Sequence, residues 1–252
     1  MKRLSAVCFL SLFFFSACDT TEHTTFVIKD IPTDDCKECP KVIIEMPQAQ
    51  PENEVASKIN DKIEEFVIKT LNYSEENTAD SLSSAIEIFR SEYTKLKERF
   101  PEEIIPWEAT IRGEVSFQNE HFASIKVDSY IFTGGAHGYG SVNYLNFDIS
   151  NGTHLNAEEL LTDKKAFLSF AEKTFREKED IAADANINST GFMFESDRFH
   201  LPNSIGFDEK GIILVYNPYE IAAYADGLTK IEIPFEEAKA FIKPKWLEAT
   251  TE

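Results

Sequence analysis

The spacing of apolar residues in the first half of the chain is helical. Apolar side chains recur every three or four positions over residues 55–71 and again over residues 82–100, which predicts two amphipathic helices. Pro101 ends the second helix, because proline cannot continue a helix. An apolar run at residues 42–46, closed by Pro47, predicts a strand before the first helix.

The spacing then shortens to two residues. Apolar and polar side chains alternate over residues 124–131 and 145–149, as in strands with one buried face. Three further elements follow: a helix over residues 163–183, a hairpin over residues 205–216 and a last strand over residues 231–235. This order predicts an α+β fold in which an antiparallel sheet is packed by two N-terminal helices and one later helix.

The amino terminus has the pattern of an export signal. Lys2 and Arg3 precede an apolar run over residues 4–15, shorter than the roughly 20 residues that a helix needs to cross a bilayer. The sequence Phe-Ser-Ala-Cys that ends at Cys18 resembles a bacterial lipobox. This resemblance implies that residues 1–17 are removed and that Cys18 carries a lipid. An ordinary signal peptide with an unmodified cysteine is the alternative interpretation.

The chain is therefore expected to have three parts. A lipoprotein signal peptide at residues 1–17 precedes a polar tether at residues 18–40, which has too few apolar residues at its start to order itself. Residues 41–252 are predicted to form a single composite α+β domain, helical up to about residue 105 and rich in sheet over residues 106–243. The expected location is the bacterial cell envelope, with the domain outside the cytoplasm and the lipid in the outer or cytoplasmic membrane.

The strongly acidic composition narrows the classes of partner. The chain has 44 acidic and 25 basic residues, a formal net charge of −19, and loss of Lys2 and Arg3 with the leader makes it more negative still. We expect no nucleic-acid partner, because affinity for phosphate backbones comes from Lys and Arg. A basic protein is electrostatically suitable as a partner, although solubility alone is the simpler explanation of the charge. With 42% hydrophobic residues, global disorder is excluded.

Cys36 and Cys39 are the two cysteines left for the domain. Outside the cytoplasm such a pair is expected to be a structural disulfide or a free pair. A redox site would have its first cysteine at a helix start after a strand, whereas Pro40 and an apolar strand follow here. A zinc site would need two further ligands nearby, and none is suitably spaced. The structural interpretation is favoured, and we predict no metal and no other cofactor.

No catalytic motif stands out, and His137 is the most distinctive candidate residue. It lies in the motif Gly-Gly-Ala-His-Gly at residues 134–138, where paired glycines allow positive φ and close approach of another group. His137 can fix the bend between two strands by binding a carbonyl, contact a ligand or act in catalysis, and the first role is favoured. A Ser–His–Asp site with Ser141 is not supported, because no nucleophile-elbow motif is present.

Two other groups of residues have simpler interpretations. Residues 184–195 match a calcium-binding loop at five positions, but Ser189 stands where the sharp turn requires Gly, so a polar loop is predicted. A cluster of aromatic residues is expected either to form a recognition surface or to pack beneath the sheet, with packing favoured. Its members are Phe194, Phe199, Tyr216, Tyr219 and Tyr224.

Two motifs are shared with a known family. One is Thr-Gly-Gly-Ala-His-Gly at residues 133–138, after a predicted strand, and the other is Asn-Pro-Tyr-Glu-Ile-Ala-Ala-Tyr-Ala-Asp-Gly at residues 217–227. Over roughly residues 40–243 the chain resembles the extracytoplasmic domain of RsiV-type anti-sigma factors and of the non-catalytic part of PdaC-type peptidoglycan deacetylases. The motifs supply the candidate ligand-binding residues Gly134, Gly135, His137, Tyr219, Glu220 and Tyr224.

The resemblance implies binding more than catalysis. RsiV-type proteins use this domain to bind lysozyme, whereas PdaC-type enzymes owe their activity to a separate metal-dependent domain with no counterpart in this sequence. We therefore expect a lipid-anchored binding or sensing module without catalytic residues, whose ligand is a lysozyme-like or other cationic protein or a cell-wall component. The alternative is a cell-wall hydrolase or deacetylase with a site near His137.

Overall fold

The computed structural model describes residues 23–32, 39–72, 79–102 and 105–248. The strands within these ranges are β1 (Thr25–Asp30), β2 (Lys41–Gln50), β3 (Glu108–Gln118), β4 (Phe122–Phe132), β5 (Tyr139–Asp148), β6 (Thr153–Leu155), β7 (Ser204–Phe207), β8 (Gly211–Tyr216) and β9 (Thr229–Pro234). The α-helices are α1 (Glu54–Leu71), α2 (Leu82–Arg99), α3 (Ala157–Leu160), α4 (Lys164–Lys178) and α5 (Phe235–Ala238).

The larger of two sheets has six strands in the order β1-β2-β3-β4-β5-β6. Its neighbours run antiparallel except β2 and β3, which pair in parallel. A parallel pair cannot be joined by a tight turn, and here the connection contains α1 and α2. The predicted antiparallel character therefore holds for every pair of strands but this one.

The two predicted N-terminal helices are confirmed and cover one face of the larger sheet. α1 begins after Asn53, whose side chain accepts a hydrogen bond from the Ala56 amide at 2.9 Å, as an N-cap residue does. Ser81 caps α2 in the same way. The apolar stripes of both helices pack on the sheet in a first core, which includes Ile59, Ile63, Phe89, Ile111 and Ile125.

The smaller sheet, in the order β7-β8-β9, packs on the second face of the larger one. Successive β8 residues point to opposite sides. Ile213 and Val215 contact Tyr144 of β5, whereas Leu214 and Tyr216 belong to a second core with Phe175 of α4. The molecule is thus layered in the order helix pair, six-stranded sheet, three-stranded sheet and α4.

Three predicted boundaries are corrected. The strand expected to end before Pro47 continues to Gln50, because β1 pairs with β2 as far as Gln50. The ladder to β3 already stops at Glu45, so the N–H that Pro47 lacks is not needed on that side. Residues 25–30, which the tether was expected to include, form β1 and pair with β2. α4 stops at Lys178 rather than at residue 183, and Asp180 then takes a φ of +54°, which no helix continues.

Candidate functional site

The two shared motifs, distant in sequence, are in direct contact. The His137 ring stacks on the Tyr224 ring with centroids 3.8 Å apart and planes 13° from parallel. The Tyr224 hydroxyl donates a hydrogen bond to the Gly138 carbonyl at 2.8 Å, and His137 Nδ1 lies 2.9 Å from the same oxygen. Contact with a carbonyl is the structural role that the sequence favoured for His137. Stacking on Tyr224 is a second structural contact of the same side chain.

The loop over residues 217–227 is held to β5 by polar side chains. Asn217 Oδ1 accepts a hydrogen bond from the Val142 amide at 2.8 Å, and Asn217 Nδ2 donates to the Val142 carbonyl at 3.1 Å. The Glu220 carboxylate accepts hydrogen bonds from the amides of Asn217 and Asn203. Glu220, a candidate ligand residue, is therefore engaged in shaping the loop.

The glycines of the first motif have separate roles. Gly134 and Gly135 take φ values of +100° and +84°, which side chains rarely allow, so both shape the turn between β4 and β5. Gly138 makes room for an aromatic ring, because a Cβ there would lie 2.5 Å from the Tyr130 hydroxyl oxygen. These contacts explain the glycines by geometry without a ligand.

Aromatic rings gather at the surface where the motifs meet. The exposed fractions are 39% for Tyr130, 41% for Tyr139 and 61% for Tyr219, and the Tyr219 ring lies 5.6 Å from that of Tyr224. Burial of its hydroxyl, with the charge of Glu220, raises the pKa of Tyr139. We call this group the tyrosine platform; its members are Tyr130, His137, Tyr139, Tyr219 and Tyr224.

Tyr219 combines this exposure with an unusual backbone. Its φ is +70°, a conformation that is rare for bulky residues and costs roughly 1–2 kcal/mol relative to the right-handed region. Strain of this kind persists where surrounding structure imposes it, and it concentrates at functional sites. The conformation presents the aromatic ring of Tyr219 to solvent.

The predicted aromatic cluster divides into members buried in the second core and members that belong to the platform. Phe194, Phe199 and Tyr216 lie in the second core, where Tyr216 donates a hydrogen bond to the His200 carbonyl at 2.5 Å and burial raises its pKa. Packing is therefore correct for these three, whereas Tyr219 and Tyr224 belong to the platform. Tyr130 and Tyr139, also in the platform, are missing from the sequence prediction.

A cleft of about 440 Å³ adjoins the platform. It lies between the second face of β3, β4 and β5 and the loop over residues 217–228. Strand alternation directs the side chains of Ser129 and Ser141 to the helix-covered face, where their hydroxyls are 2.7 Å apart. The side chains directed to the cleft are Thr110, Arg112, Asp128, Tyr130 and Val142 from the sheet and Pro218, Tyr224 and Leu228 from the loop.

Side chains that bind metals do not gather in the described part of the chain. No group of three or more His, Cys, Asp or Glu residues there is arranged to hold a metal ion. Asn188, at the centre of the calcium-loop match, accepts a hydrogen bond from the Phe194 amide at 2.7 Å and donates one to Asp197 at 2.7 Å. It therefore holds together the polar loop predicted over residues 184–195.

The cysteines predicted to matter are mostly outside the described ranges. Cys18, the predicted lipidation site, and Cys36 both lie outside them. Cys39 is within them and is disulfide-bonded. That Cys36 is the disulfide partner of Cys39 stays a prediction.

Two family models match consecutive parts of the chain. Residues 34–139 match the model described as Deacetylase PdaC, and residues 157–236 match the model described as Protein of unknown function (DUF3298). The chain therefore carries a PdaC-type domain followed by a DUF3298 domain. The first motif ends the PdaC region and the second lies within the DUF3298 region, so the platform forms where the two regions meet.

One relative of known name is the peptidoglycan-N-acetylmuramic acid deacetylase PdaC of Bacillus subtilis (strain 168). It is 23% identical over 208 residues, which are 77% of this chain and 43% of the deacetylase. Two solved structures share the fold. A DUF3298 family protein of Pseudomonas aeruginosa PAO1 has a TM-score of 0.58 and 20% identity over 88% of this chain and 94% of its own. A DUF3298 family member of Bacteroides fragilis NCTC 9343 has a TM-score of 0.59 and 18% identity over 87% and 93%.

Proposed function

We propose that the protein is an extracytoplasmic binding or sensing module of the bacterial cell envelope, anchored by a lipid on Cys18. Two observations support this location. The leader and the lipobox-like sequence at Cys18 resemble those of an exported lipoprotein, and the relative from Bacillus subtilis is named as an enzyme of peptidoglycan. Among the described residues, no helix has the length and apolar character to cross a bilayer.

The anchor has a direct test. Labelled palmitate should enter the wild-type chain in bacterial cells and should be absent from the Cys18→Ser variant, which lacks the thiol that is acylated. Equal labelling of both chains, or an intact leader in the mass spectrum of the wild type, would contradict the anchor.

The tyrosine platform is the observation that supports binding. Tyrosine is enriched at protein interfaces because its ring buries apolar area while its hydroxyl stays hydrogen-bonded. Tyr219 is the most exposed tyrosine of the platform, at 61%, and the surrounding contacts of Asn217 and Glu220 hold its strained loop in place. A rigid aromatic surface of this kind loses little conformational entropy on binding.

A cationic protein, with lysozyme-like proteins as the first candidate, is the partner we propose. The formal net charge of −19 attracts a basic partner and speeds the encounter. The platform supplies the contact area once the partner has arrived. Binding is therefore expected to have an electrostatic component that salt weakens and an aromatic component that depends on Tyr219.

Titration of the full chain with lysozyme in a series of salt concentrations tests both components. We expect binding at micromolar protein that weakens as salt rises, since screening shortens the range of charge attraction. Tyr219→Gly should weaken binding by about tenfold or more, in the range of an interface hot spot. Ile28→Ala on β1 is the matched control, because Ile28 is 58% exposed but lies outside the platform.

The outcomes separate the partner from the surface. Absence of salt-sensitive binding by the wild type would remove lysozyme as the partner. Equal loss of affinity in Tyr219→Gly and Ile28→Ala would contradict the platform as the surface that binds.

A further inference from the structure

The cleft beside the tyrosine platform is kept open by a glycine that neither backbone nor packing requires. Gly140 of β5 lines the cleft, and its φ is outside the left-handed region. A Cβ at this position would meet the Ser129 carbonyl oxygen at 3.8 Å and Tyr130 at 4.0 Å, which are ordinary contacts. A larger side chain would therefore fit the strand but would occupy the cleft. The missing side chain leaves room for a ligand.

The walls of the cleft combine flat aromatic and apolar groups. Tyr130 stands beside Gly140 in the β4–β5 ladder, and Tyr224 and Pro218 line the opposite side from the loop. Leu228, 42% exposed, lies at the rim. Saccharide rings present a flat face of C–H groups, which packs against aromatic rings in the way that other apolar surfaces do.

The charged groups of the cleft are balanced by their own neighbours. Arg112 Nε donates to Glu45 Oε2 at 2.8 Å, and Lys126 Nζ lies 2.7 Å from Asp128 Oδ2. Lys126 also lies 3.4 Å from Glu114 Oε1. The two charged side chains that line the cleft, Arg112 and Asp128, thus have opposite charges, and each is already paired with a neighbour. An ionic ligand gains little from such a site, whereas an uncharged polar ligand finds both donors and acceptors.

Arg112 and Asp128 also stand directly opposite each other in the β3–β4 ladder. A guanidinium donor and a carboxylate acceptor are therefore side by side at the floor of the cleft. Neighbouring hydroxyl groups of a sugar, each a donor and an acceptor, match this pair. Proline-rich peptides are the other usual ligands of aromatic grooves. Their proline nitrogens carry no N–H that could donate a hydrogen bond to Asp128.

From these contacts we propose that the cleft binds a neutral saccharide, with one ring against Tyr130 and Tyr224 and hydroxyls on Arg112 and Asp128. The volume of about 440 Å³ lies within the range of about 300–1,000 Å³ that small-ligand sites occupy. This ligand site is additional to the protein partner proposed above and does not depend on that partner.

Amide chemical shifts of the isotope-labelled full chain, followed by NMR during titration, test the proposal. The neutral probes are N-acetylchitotriose and cellotriose; the comparison probes are chitotriose, which is cationic, trigalacturonic acid, which is anionic, and a proline-rich decapeptide. We expect a neutral trisaccharide to shift the amides of Tyr130, Gly140 and Leu228 with a dissociation constant on the order of 1 mM, as suits a shallow open site.

Gly140→Leu is the blocking variant. It should weaken saccharide binding by about tenfold or more. Its thermal unfolding midpoint should stay near that of the wild type, because the new Cβ meets no atom closer than 3.8 Å and position 140 lines the open cleft. Thr153→Leu on β6 is the matched control, since it adds the same side chain at an exposed strand position outside the cleft. Asp128→Asn should also weaken binding while keeping the shape of the floor.

Each alternative result has a defined meaning. No shifts with either neutral probe, or tighter binding of a charged probe or of the peptide at the same amides, would overturn the neutral saccharide. Retained binding by a folded Gly140→Leu variant would overturn the location. Because lysozyme binding is read out separately through Tyr219, failure of the saccharide site is distinguishable from failure of the proposed function.

Discussion

His137 and Tyr224 stack with their ring centroids 3.8 Å apart, across the boundary between the PdaC-type and DUF3298 regions. The stack is reinforced by the hydrogen bond from the Tyr224 hydroxyl to Gly138. The platform therefore exists only when both regions are folded and in register, and contacts within it also stabilise the joint between them.

A double-mutant cycle on this pair should show coupling. His137→Ala and Tyr224→Ala remove a ring from either side, and an aromatic contact contributes about 0.5–1.5 kcal/mol beyond the area that it buries. We expect a coupling energy near the lower end of that range, since His137 is exposed. Urea unfolding of the four chains measures it. Tyr224→Phe isolates the hydroxyl and should cost about 1 kcal/mol; strictly additive effects would contradict the stack.

Asp148 predicts a pH dependence of stability. Its side chain is 4% exposed and accepts a hydrogen bond from Lys245 at 2.6 Å. Burial alone would raise the pKa of Asp148, but the hydrogen bonds from Lys245 and Ser150 outweigh burial and hold the pKa below its usual value. Because the folded pKa is depressed, the stabilisation is present above the unfolded value of about 3.9 and is lost as pH falls through the folded pKa.

Unfolding in urea at pH values from 7 to 3 checks this. Asp148→Asn should lower the free energy of unfolding at pH 7 by about 1–3 kcal/mol and should make the decline in acid shallower than that of the wild type. The exposed Asp61→Asn on α1 is the control. Parallel curves for the wild type and Asp148→Asn would show that Asp148 does not contribute to the acid dependence.

Substitution by alanine should lower stability strongly at Gly206 and hardly at all at Gly140. A Cβ at Gly206 of β7 would lie 1.9 Å from the ring of Tyr144, whereas at Gly140 the nearest contact is 3.8 Å. Gly206→Ala therefore forces the two sheets apart and should cost more than about 3 kcal/mol, as severe overpacking does. Gly140→Ala should change stability by about 0.5 kcal/mol or less. Similar thermal midpoints for both variants would contradict the observed packing between the sheets.

The enzymatic alternative has a single candidate residue. His137 is engaged with Tyr224 and with the Gly138 carbonyl, so we expect no release of acetate or reducing ends when the full chain is incubated with peptidoglycan fragments. His137→Ala is the control. Product formed by the wild type and abolished in a folded His137→Ala variant would establish the hydrolase or deacetylase instead.

The helices and the hairpins were predictable because their signals are local. The apolar stripes of α1 and α2 follow the helical period, and Asn53 and Ser81 stand where a cap is needed. The hairpin of β7 and β8 has turn residues between two apolar runs. In each case neighbouring residues alone determine the structure.

Neither β3 nor β1 was predicted from the sequence, and the reasons differ. β3 does alternate, with Ala109 and Ile111 on its buried face, but Gly113 interrupts the pattern where Pro47 of β2 approaches; a Cβ there would lie 2.6 Å from Pro47 Cδ. β1 is an edge strand, and of its six residues only Phe26 packs against the first core. Its period is therefore too weak to identify without its partner strand.

The site depends on contacts between distant segments, which the sequence does not reveal. Tyr216 and Tyr219 are three residues apart, yet one is buried and the other is 61% exposed. The difference arises because β8 ends at Tyr216 and the loop then turns outward through a residue with φ of +70°. The family motifs mark two segments that the fold brings into contact, whereas that contact, and the inclusion of Tyr130 and Tyr139, required the fold.

Site-specific photo-crosslinking in living bacteria tests the central claim, that the tyrosine platform is the surface that binds. A photoreactive phenylalanine analogue replaces Tyr219, Tyr139 or Ile28 in the full chain, and adducts are compared after irradiation. We predict discrete, salt-sensitive adducts from positions 219 and 139 and none from position 28, although Ile28 is as exposed as Tyr219. Equal adducts from all three positions, or adducts from position 28 alone, would contradict the account.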